Sequence, residues 1–498
     1  MNSFNFNDLV NGRYGRKIAY TDVEKITADN VVDVLGKCIG VFNYNRPVIK
    51  YLHDYYKGDQ PALYRTKVIR DDLPPVNVVE NHAWEIVRFK VGQTYGEPMQ
   101  YNSLKDDDNT NKYVDKLNGY MRAANKAVVD ITSGTWQSSV GTSFKAVQLR
   151  DADSLIPFRL VAPTPMNTFV IYSRYTEEPM MAVQELKDAN SNQYYLCFTD
   201  RCEYRIQCGK LIPLDEEGKV ERLHTFGQIP IVEFPNNSER ISDIELVITM
   251  LDAINNMQSN RMDAIDQFVQ SWVKFVNCDI DADTFDKMKM RGALVVKSNN
   301  GDSNRADVDI MTQELNQTES QVAKKDLLDN VLMIEAIPNR EGNTGGDTQG
   351  AVSLRNGWDF AKQAARLKDA YIVEAENRLV EPILNCIRVR KGANDCPLTI
   401  LDFEPQVNHS PTDNLQVKAQ SLQMLLQAGI SPLVAIRTVG LWSDAEKTYL
   451  LSKPYLDVIY KTIDEVIEQE NLQAEVAKAQ QLMAEVNTDG ETRDRQTE

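Results

Sequence analysis

The chain has 498 residues, which is too long for one hydrophobic core, and its length predicts two to four domains. Its composition, 42% hydrophobic and 26% charged, is typical of a soluble globular protein, and no run approaches the eighteen apolar residues of a membrane-spanning helix. The net charge of −17 and the lack of a basic tract argue against a protein that holds nucleic acid tightly, because neutralisation of phosphates supplies most of that affinity.

The first half of the chain reads as three helices followed by a β-rich region. Apolar residues at spacings of three and four predict helices over 22–57, 80–96 and 106–136. From about 140 to 234 the pattern changes to a period of two, in short runs separated by turn residues. We therefore predict a mostly antiparallel β region within a fold of the α+β class in which helix predominates.

A long helix is expected after the strand-like run IPIVEF (229–234), which ends at Pro235. Ser242 and Glu245 form a capping box, in which the serine side chain and the glutamate side chain each accept a backbone N–H of the other's turn. Apolar residues then recur at helical spacing, which predicts a helix over 243–275, about 50 Å long. The opposite face is acidic, with carboxylates at Asp243, Glu245, Asp252, Asp263 and Asp266.

The second half of the chain is mainly helical. A small α/β stretch (281–311) precedes a second long helix (315–337), which Pro338 stops. A glycine-rich segment (339–350) then leads to a third long helix. The remaining predicted elements are that third helix over 351–390 with a kink at Pro382, a strand over 399–405, short helices over 412–470 broken at Gly429, Pro432, Gly440 and Pro454, and a disordered end from about 470.

The sequence contains no motif for catalysis or nucleotide binding. No G-x-x-x-x-G-K-[ST], G-x-S-x-G, H-E-x-x-H or G-x-G-x-x-G occurs, and GNTGGD (342–347) lacks the lysine that follows a phosphate-binding loop. Cys197, Cys202 and Cys208 lie close in sequence, but no further cysteine or histidine completes a zinc set. We therefore expect no catalytic residue, no metal and no cofactor.

Two segments resemble the portal proteins of tailed bacteriophages, in the form found in long-tailed phages of Gram-positive hosts. The first is a helix motif within 81–101, carried by Asn81, Ile86, Val87, Tyr95, Gly96, Pro98 and Tyr101. The second and more specific segment is IPIVEFPNN (229–237), followed by an acidic linker and LDAINNMQSNRMD (251–263). The resemblance covers about residues 40–400 and implies a ring of usually twelve subunits around an axial DNA channel.

The resemblance implies a division of the chain into the named parts of a portal fold. These are a wing (1–235), a first stem helix (236–276), an α/β clip (277–312), a second stem helix (313–338), a tunnel loop (339–350), a kinked long helix returning to the wing (351–411), a helical crown (412–470) and a partly disordered tail (471–498). In this arrangement Asn236 and Asn237 satisfy the backbone where the chain turns from the wing into the stem.

The same resemblance implies roles for individual side chains. The tunnel loop would face DNA through Arg340, Gly342, Asn343, Thr344, Gly345, Gly346 and Asp347. Acidic residues that face the channel would repel phosphates and let DNA slide, and the candidates are Asp252, Asp263 and Asp266. Lys362 and Arg366 are candidates for weak phosphate contacts, although surface ion pairs explain them equally well. Ile254, Ile265 and Phe268 are expected to pack the stem.

The partners and the location follow from the resemblance in the same way. They are double-stranded DNA held weakly in the channel, the terminase large subunit, the major capsid and scaffold proteins, and a head-completion or adaptor protein. The N-terminus lacks an apolar signal core, so we expect assembly in the host cytoplasm, residence in the virion and no membrane partner.

Two other functions remain open at this point. One is a metal-dependent enzyme of DNA processing that uses aspartate-rich loops such as Asp106–Asp108, because a two-metal site needs only a few carboxylates. The other is a non-viral scaffold or adaptor built from long helices. Cleavage of plasmid DNA would favour the first, and a monomer or compact dimer in solution would favour the second.

Overall fold

The computed structural model confirms the α+β class and divides the chain into two compact units, 1–410 and 411–498. None of the helices in its described part is long and apolar enough to cross a membrane. The described residues are 14–66, 75–105, 107–151, 153–215, 217–269, 272–276, 307–311, 317–338, 357–408, 415–442 and 445–459.

The N-terminal helices are shorter than the sequence pattern predicts. The first begins only at Val31, because residues 22–30 form turns and irregular structure after the strand Ala19–Thr21. The predicted third helix is two helices, which divide at Asn125, whose backbone is left-handed (φ 56°) and therefore cannot continue a helix. The elements are β1 (Ala19–Thr21), α1 (Val31–Tyr56), a 3₁₀ turn (Pro61–Tyr64), α2 (His82–Tyr95), β2 (Gln100–Ser103), α3 (Asp108–Ala123) and α4 (Lys126–Val140).

The β-rich region forms two sheets, and its pairing is mostly antiparallel, as predicted. Its strands are β3 (Thr142–Leu149), β4 (Phe158–Val161), β5 (Thr168–Ser173), β6 (Pro179–Lys187), β7 (Gln193–Phe198), β8 (Cys202–Gln207), β9 (Lys210–Leu211), β10 (Glu221–Leu223) and β11 (Ile231–Pro235). One sheet has the order β1-β5-β6-β7-β8-β10, with β9 on β8, and the other has the order β11-β3-β4. Strand β1 pairs with β5 in parallel.

The helix after the second sheet is shorter than expected and ends in a strand. It is α5 (Ile248–Val269), so its 22 residues span about 33 Å. Residues Trp272–Val276 form β12, which pairs antiparallel with β13 (Asp307–Met311). The predicted helix over 243–275 is therefore wrong at both ends. It stops early because WVKFV is rich in aromatic and β-branched residues and pairs with a strand further along the chain. The rest of the predicted clip lies outside the described residues.

The two remaining long helices agree closely with the sequence pattern. The first is α6 (Gln317–Ile334) and the second is α7 (Trp358–Lys391), which continues through Pro382. The predicted kink at that proline stays a prediction. Strand β14 (Phe403–Gln406) pairs antiparallel with β2, which joins distant parts of the chain.

The second unit contains three described helices. They are α8 (Leu415–Gln427), α9 (Pro432–Val439) and α10 (Ala445–Ile459). Gly429 and Gly440 have left-handed backbones and separate the helices, as predicted. The predicted break at Pro454 is wrong, because this proline lies inside α10, where the loss of one backbone hydrogen bond does not end the helix.

Apolar cores fix these elements in the first unit. Helix α1 lies on the seven-stranded sheet, where the rings of Phe42 and Phe169 stack at 4.6 Å. Helix α7 packs on the three-stranded sheet, where Ile383 and Phe234 share a core. A further core joins four helices, α1, α2, α5 and α6, and includes Leu52, Val87, Leu251, Ile254 and Val331.

Candidate functional site

The turn between β11 and α5, residues 236–247, is held by its own side chains; we call it the hinge. The side-chain amides of Asn236 and Asn237 both donate to the carbonyl of Ile241, at 2.9 Å each. The Ile241 N–H donates back to Asn237 Oδ1 at 2.8 Å. The predicted role of the two asparagines is confirmed, since they satisfy the backbone where the chain changes direction.

Two glycines from other parts of the chain press against the hinge backbone. A Cβ on Gly15 would lie 2.2 Å from the Glu239 carbonyl oxygen, and one on Gly141 would lie 2.0 Å from that of Arg240. Both glycines also have left-handed backbones, with φ of +85° and +88°. A larger residue at either place would push the hinge away from its support.

The capping box forms, but its glutamate does more than the pattern indicates. Glu245 accepts the N–H of Ser242 at 3.1 Å, and the Ser242 hydroxyl accepts the N–H of Ile244 at 3.1 Å. Glu245 is completely buried and also binds the Arg16 guanidinium at 2.5 Å and the Gly15 N–H at 2.9 Å. It is therefore an internal ion-pair partner and not part of an acidic surface, and regular helix begins only at residue 248.

Asp243 anchors the hinge to the long helix α7. Its carboxylate accepts from Ser138 Oγ at 2.6 Å, from Asn236 Nδ2 at 2.8 Å and from Lys368 Nζ at 3.1 Å. Burial would raise the pKa of this carboxyl, but Lys368 and Lys90 together with the hydrogen bonds hold the pKa below its usual range. Asp243 thus remains charged inside the protein and ties three parts of the chain together.

Helices α5 and α6 lie side by side and run antiparallel. Arg261 Nη1 donates to Gln321 Oε1 at 2.7 Å, and Lys324 Nζ reaches Gln258 Oε1 at 3.5 Å. As the residue number rises along α5, the number of the contacting residue on α6 therefore falls. Near the hinge the two helices share an apolar core with α1 and α2, so one end of the pair is fixed in the first unit.

A row of polar side chains on α5 binds the segment 75–81, which we call the strap. Asn255, Ser259 and Asp263 form this row, which we call the ladder. Each of them accepts one backbone N–H, and the three donors are alternate residues of the strap. The pairs are Glu80 with Asn255 (2.8 Å), Val78 with Ser259 (3.0 Å) and Val76 with Asp263 (2.7 Å). Four helical residues advance about 6.0 Å and two extended residues about 6.6 Å, so the two repeats match.

The contacts of the ladder contradict the predicted channel-facing role of one carboxylate. Asp263 is only 4% exposed, because it binds the strap and the guanidinium of Arg65 at 2.5 Å. Asp252 is half-buried and accepts the Tyr55 hydroxyl at 2.9 Å, and burial raises the pKa of its carboxyl to about 6. The side chain of Asp266 lies outside the described residues, and the channel-facing role of Asp252 and Asp266 stays a prediction.

The predicted stem-packing residues differ in their surroundings. Ile254 is completely buried within its own subunit, in the core that joins α5 to α1, α2 and α6. Ile265, three turns further along α5, is half-buried. The side chain of Phe268 lies outside the described residues. Ile254 therefore has no surface left for a neighbouring subunit.

The predicted DNA contacts are described only on helix α7. Arg366 is exposed and Lys362, one turn before it, is partly buried. Their role as phosphate contacts stays a prediction. The seven tunnel-loop residues, Arg340, Gly342, Asn343, Thr344, Gly345, Gly346 and Asp347, lie outside the described residues.

Four charged side chains are buried together where α4, β3 and α7 meet. Lys126 binds Asp130 at 2.7 Å and Glu376 at 3.0 Å, and Lys145 binds the same two carboxylates at 2.5 and 3.4 Å. The Tyr101 hydroxyl donates to Glu376 at 2.5 Å. Two positive and two negative charges balance, so the group fixes the packing of three elements without a net buried charge.

The strap was not predicted, although the sequence contains a signal for the helix face that binds it. Asn255, Ser259 and Asp263 recur every four residues within the segment LDAINNMQSNRMD, which carried the resemblance. This spacing puts three polar side chains on one helix face that is otherwise flanked by apolar residues. The strap itself is a proline-containing run without periodicity, so nothing local shows that it pairs with a helix some 180 residues away.

The chain is similar to a known protein family and to solved structures. The model of the family described as "Phage portal protein, SPP1 Gp6-like" matches residues 35–477. Similar solved structures include a chain from the neck of an empty gene transfer agent (GTA) particle computed with C6 symmetry, at 10% identity and a TM-score of 0.44, covering 72% of this chain and 90% of that one. A chain from the virion of a native GTA particle has 10% identity and a TM-score of 0.43, covering 79% and 93%. No curated protein matches the sequence.

Proposed function

The chain belongs to the SPP1 Gp6-like family of phage portal proteins, and from this premise we propose that it forms a ring at one capsid vertex through which double-stranded DNA is packaged and later ejected. The observation that carries the proposal is the family match, which extends over residues 35–477. The antiparallel pair α5 and α6, with the strand pair β12–β13 between them in sequence, supports it.

In the proposed ring the parts of the chain take the roles that the resemblance implies. Helices α5 and α6 are the two stem helices, and β12 and β13 are the base of the clip. Residues 339–350 form the tunnel loop, α7 returns to the wing, and the second unit contributes the crown. Rigid helices that pack side by side suit a channel wall, because a wall must keep its shape while DNA moves past it.

Charge supports the passage of DNA more than its binding. Each subunit carries a net charge of −17, and a ring multiplies it. Carboxylates near the channel would repel phosphates and prevent the duplex from sticking. Because Asp263 is occupied by the strap, we propose that other acidic residues, including Asp252 and Asp266, supply this repulsion.

We propose the partners that a portal requires during assembly. These are the terminase large subunit, the major capsid and scaffold proteins and, after packaging, a head-completion or adaptor protein. The protein would be assembled in the host cytoplasm and reside in the virion, with no membrane partner. Portal proteins are structural, and we propose that this chain has no catalytic activity.

A DNA-cleavage assay distinguishes the portal function from the alternative of a DNA-processing enzyme. Among the described residues there is no group of three or more His, Cys, Asp or Glu side chains that could hold a metal ion. Plasmid DNA incubated with the protein and Mg²⁺ or Mn²⁺ should stay intact. Cleavage that disappears when Asp106–Asp108 are changed to asparagine would favour a DNA-processing enzyme instead.

The first test of the ring is its mass in solution. One chain weighs 56.5 kDa, and twelve would weigh about 680 kDa. Light scattering and negative-stain images of the same fraction should show a ring of that order with a central hole. If the free protein is a monomer, the measurement is repeated after co-expression with the scaffold protein. A stable compact dimer under both conditions would favour a scaffold or adaptor function.

A further inference from the structure

Four ionisable side chains from four parts of the chain meet beside the hinge; we call them the hinge cluster. They are Lys90 of α2, Asp243 of the hinge, Glu335 at the end of α6 and Lys368 of α7. Asp243 takes the closer lysine, with 3.1 Å between its Oδ2 and Lys368 Nζ. Glu335 has Lys90 at 3.5 Å, while its own side chain is only 7% exposed. Glu335 is thus the less well paired of the two acids.

The end of α6 adds two features that are locally unfavourable. The N–H of Ala336 donates to the Met333 carbonyl at 3.1 Å, and that of Ile337 donates to the Leu332 carbonyl at 2.8 Å. This is a Schellman ending, and Ala336 occupies the left-handed position (φ 51°) that favours glycine. Glu335 immediately before it is an acid at the negative end of the helix dipole.

The position of Glu335 within the hinge cluster therefore disfavours the ionised form of its carboxyl. Burial raises the pKa of its carboxyl to about 8, and the nearby charge of Asp243 acts in the same direction, whereas Lys90 and Lys368 act against it. At neutral pH the carboxyl in this position is therefore mostly protonated, and its ionisation there costs free energy. Local features that conflict with the packing around them are a mark of elements with two arrangements.

We propose that Glu335 is a releasable latch, which in the docked arrangement holds the end of α6 against α2 and α7, and which on leaving the hinge cluster frees that end from these two helices. The inference concerns a single subunit and does not depend on ring formation. In a portal ring, such a latch would let the second of the two packed helices shift while the wing stays folded.

The latch has a defined dependence on pH. A detached glutamate has a pKa of about 4.5, below the docked value of about 8. A raised pKa in the docked state means that docking is fully favoured below about pH 4.5 and weakens as the pH rises towards 8. Between about pH 5.5 and 7.5 the ratio of docked to detached molecules should fall about tenfold per pH unit.

Amide hydrogen exchange of the peptide 331–338 tests this in the full chain. Protection is expressed relative to the chemical exchange rate at each pH, so that only the opening of the latch is measured. In the wild type, protection should fall towards pH 8. In Glu335→Gln, whose side chain is neutral at every pH and of the same size, protection should stay high and lose its pH dependence.

A matched control and a second variant keep the test decisive. Asp326 is an exposed carboxylate of the same helix, and Asp326→Asn should behave as the wild type does. If Glu335→Gln fails to fold, Lys90→Met serves instead: loss of the nearest cation raises the pKa of the docked carboxyl further, so protection should continue to fall above pH 8, where that of the wild type levels off. A wild-type protection that does not vary with pH, or a Glu335→Gln variant with the wild-type pH dependence, would overturn the latch.

Discussion

Single residues of α5 show how much the meaning of a carboxylate depends on what surrounds it. Asp252 and Asp263 are both on the predicted acidic face, yet only Asp263 is buried and paired with a cation. Asp252 instead meets a tyrosine hydroxyl. The sequence places both residues on one helix, but their partners come from segments near Tyr55 and Arg65, which helical periodicity does not reveal.

Replacement of Asp263 by alanine should destabilise the first unit. The change leaves the Arg65 guanidinium without its carboxylate and the Val76 N–H without its acceptor in a nearly buried place. Loss of one member of such a pair should lower the free energy of unfolding by about 3 kcal/mol. Urea unfolding measures this, with Glu319→Ala, an exposed change on α6, as the control. A midpoint for Asp263→Ala equal to that of the control would contradict the ladder.

At the scale of elements, the sequence predicts long periodic helices well and their ends poorly. The periodic apolar residues of α6 and α7 specify a helix without help from the rest of the chain. The end of α5 differs, because β12 is stabilised by hydrogen bonds to β13, more than thirty residues later. The strap has no pattern of its own and acquires its conformation from the ladder. Elements whose bonds are local are predictable from sequence, and elements that depend on distant partners are not.

Two substitutions on α5 test its orientation. Ile254→Asp puts a carboxylate into the core that α5 shares with α1, α2 and α6, which should cost several kcal/mol of stability and prevent ring formation. Ile265→Asp should cost much less, because Ile265 is only half-buried. Melting temperature and solution mass measure both variants. Equal losses in the two variants would contradict this orientation of α5.

At the scale of the whole molecule, family membership and the structure answer different questions. The family gives the portal role, since its model covers residues 35–477. The structure gives the supports that a sequence motif does not name. Among these are the glycines that press on the hinge, the strap on its ladder, and the hinge cluster at the end of α6.

The segment between α6 and α7 provides the test that separates assembly from DNA movement. We expect a variant that lacks residues 341–349 to form rings, because the hinge, the ladder and the shared core of α5 and α6 are built entirely from other residues. Particles made with it should stay empty of DNA, because the deletion removes six of the seven residues, 342–347, that we propose to contact the moving duplex. Ring mass and nuclease-protected DNA per particle measure the two effects.

A variant with nine Gly and Ser residues in the same place restores length without the native side chains. Recovery of packaging in that variant would show that the loop needs reach alone, whereas loss of rings on deletion would assign the segment to assembly and refute its role as a tunnel loop.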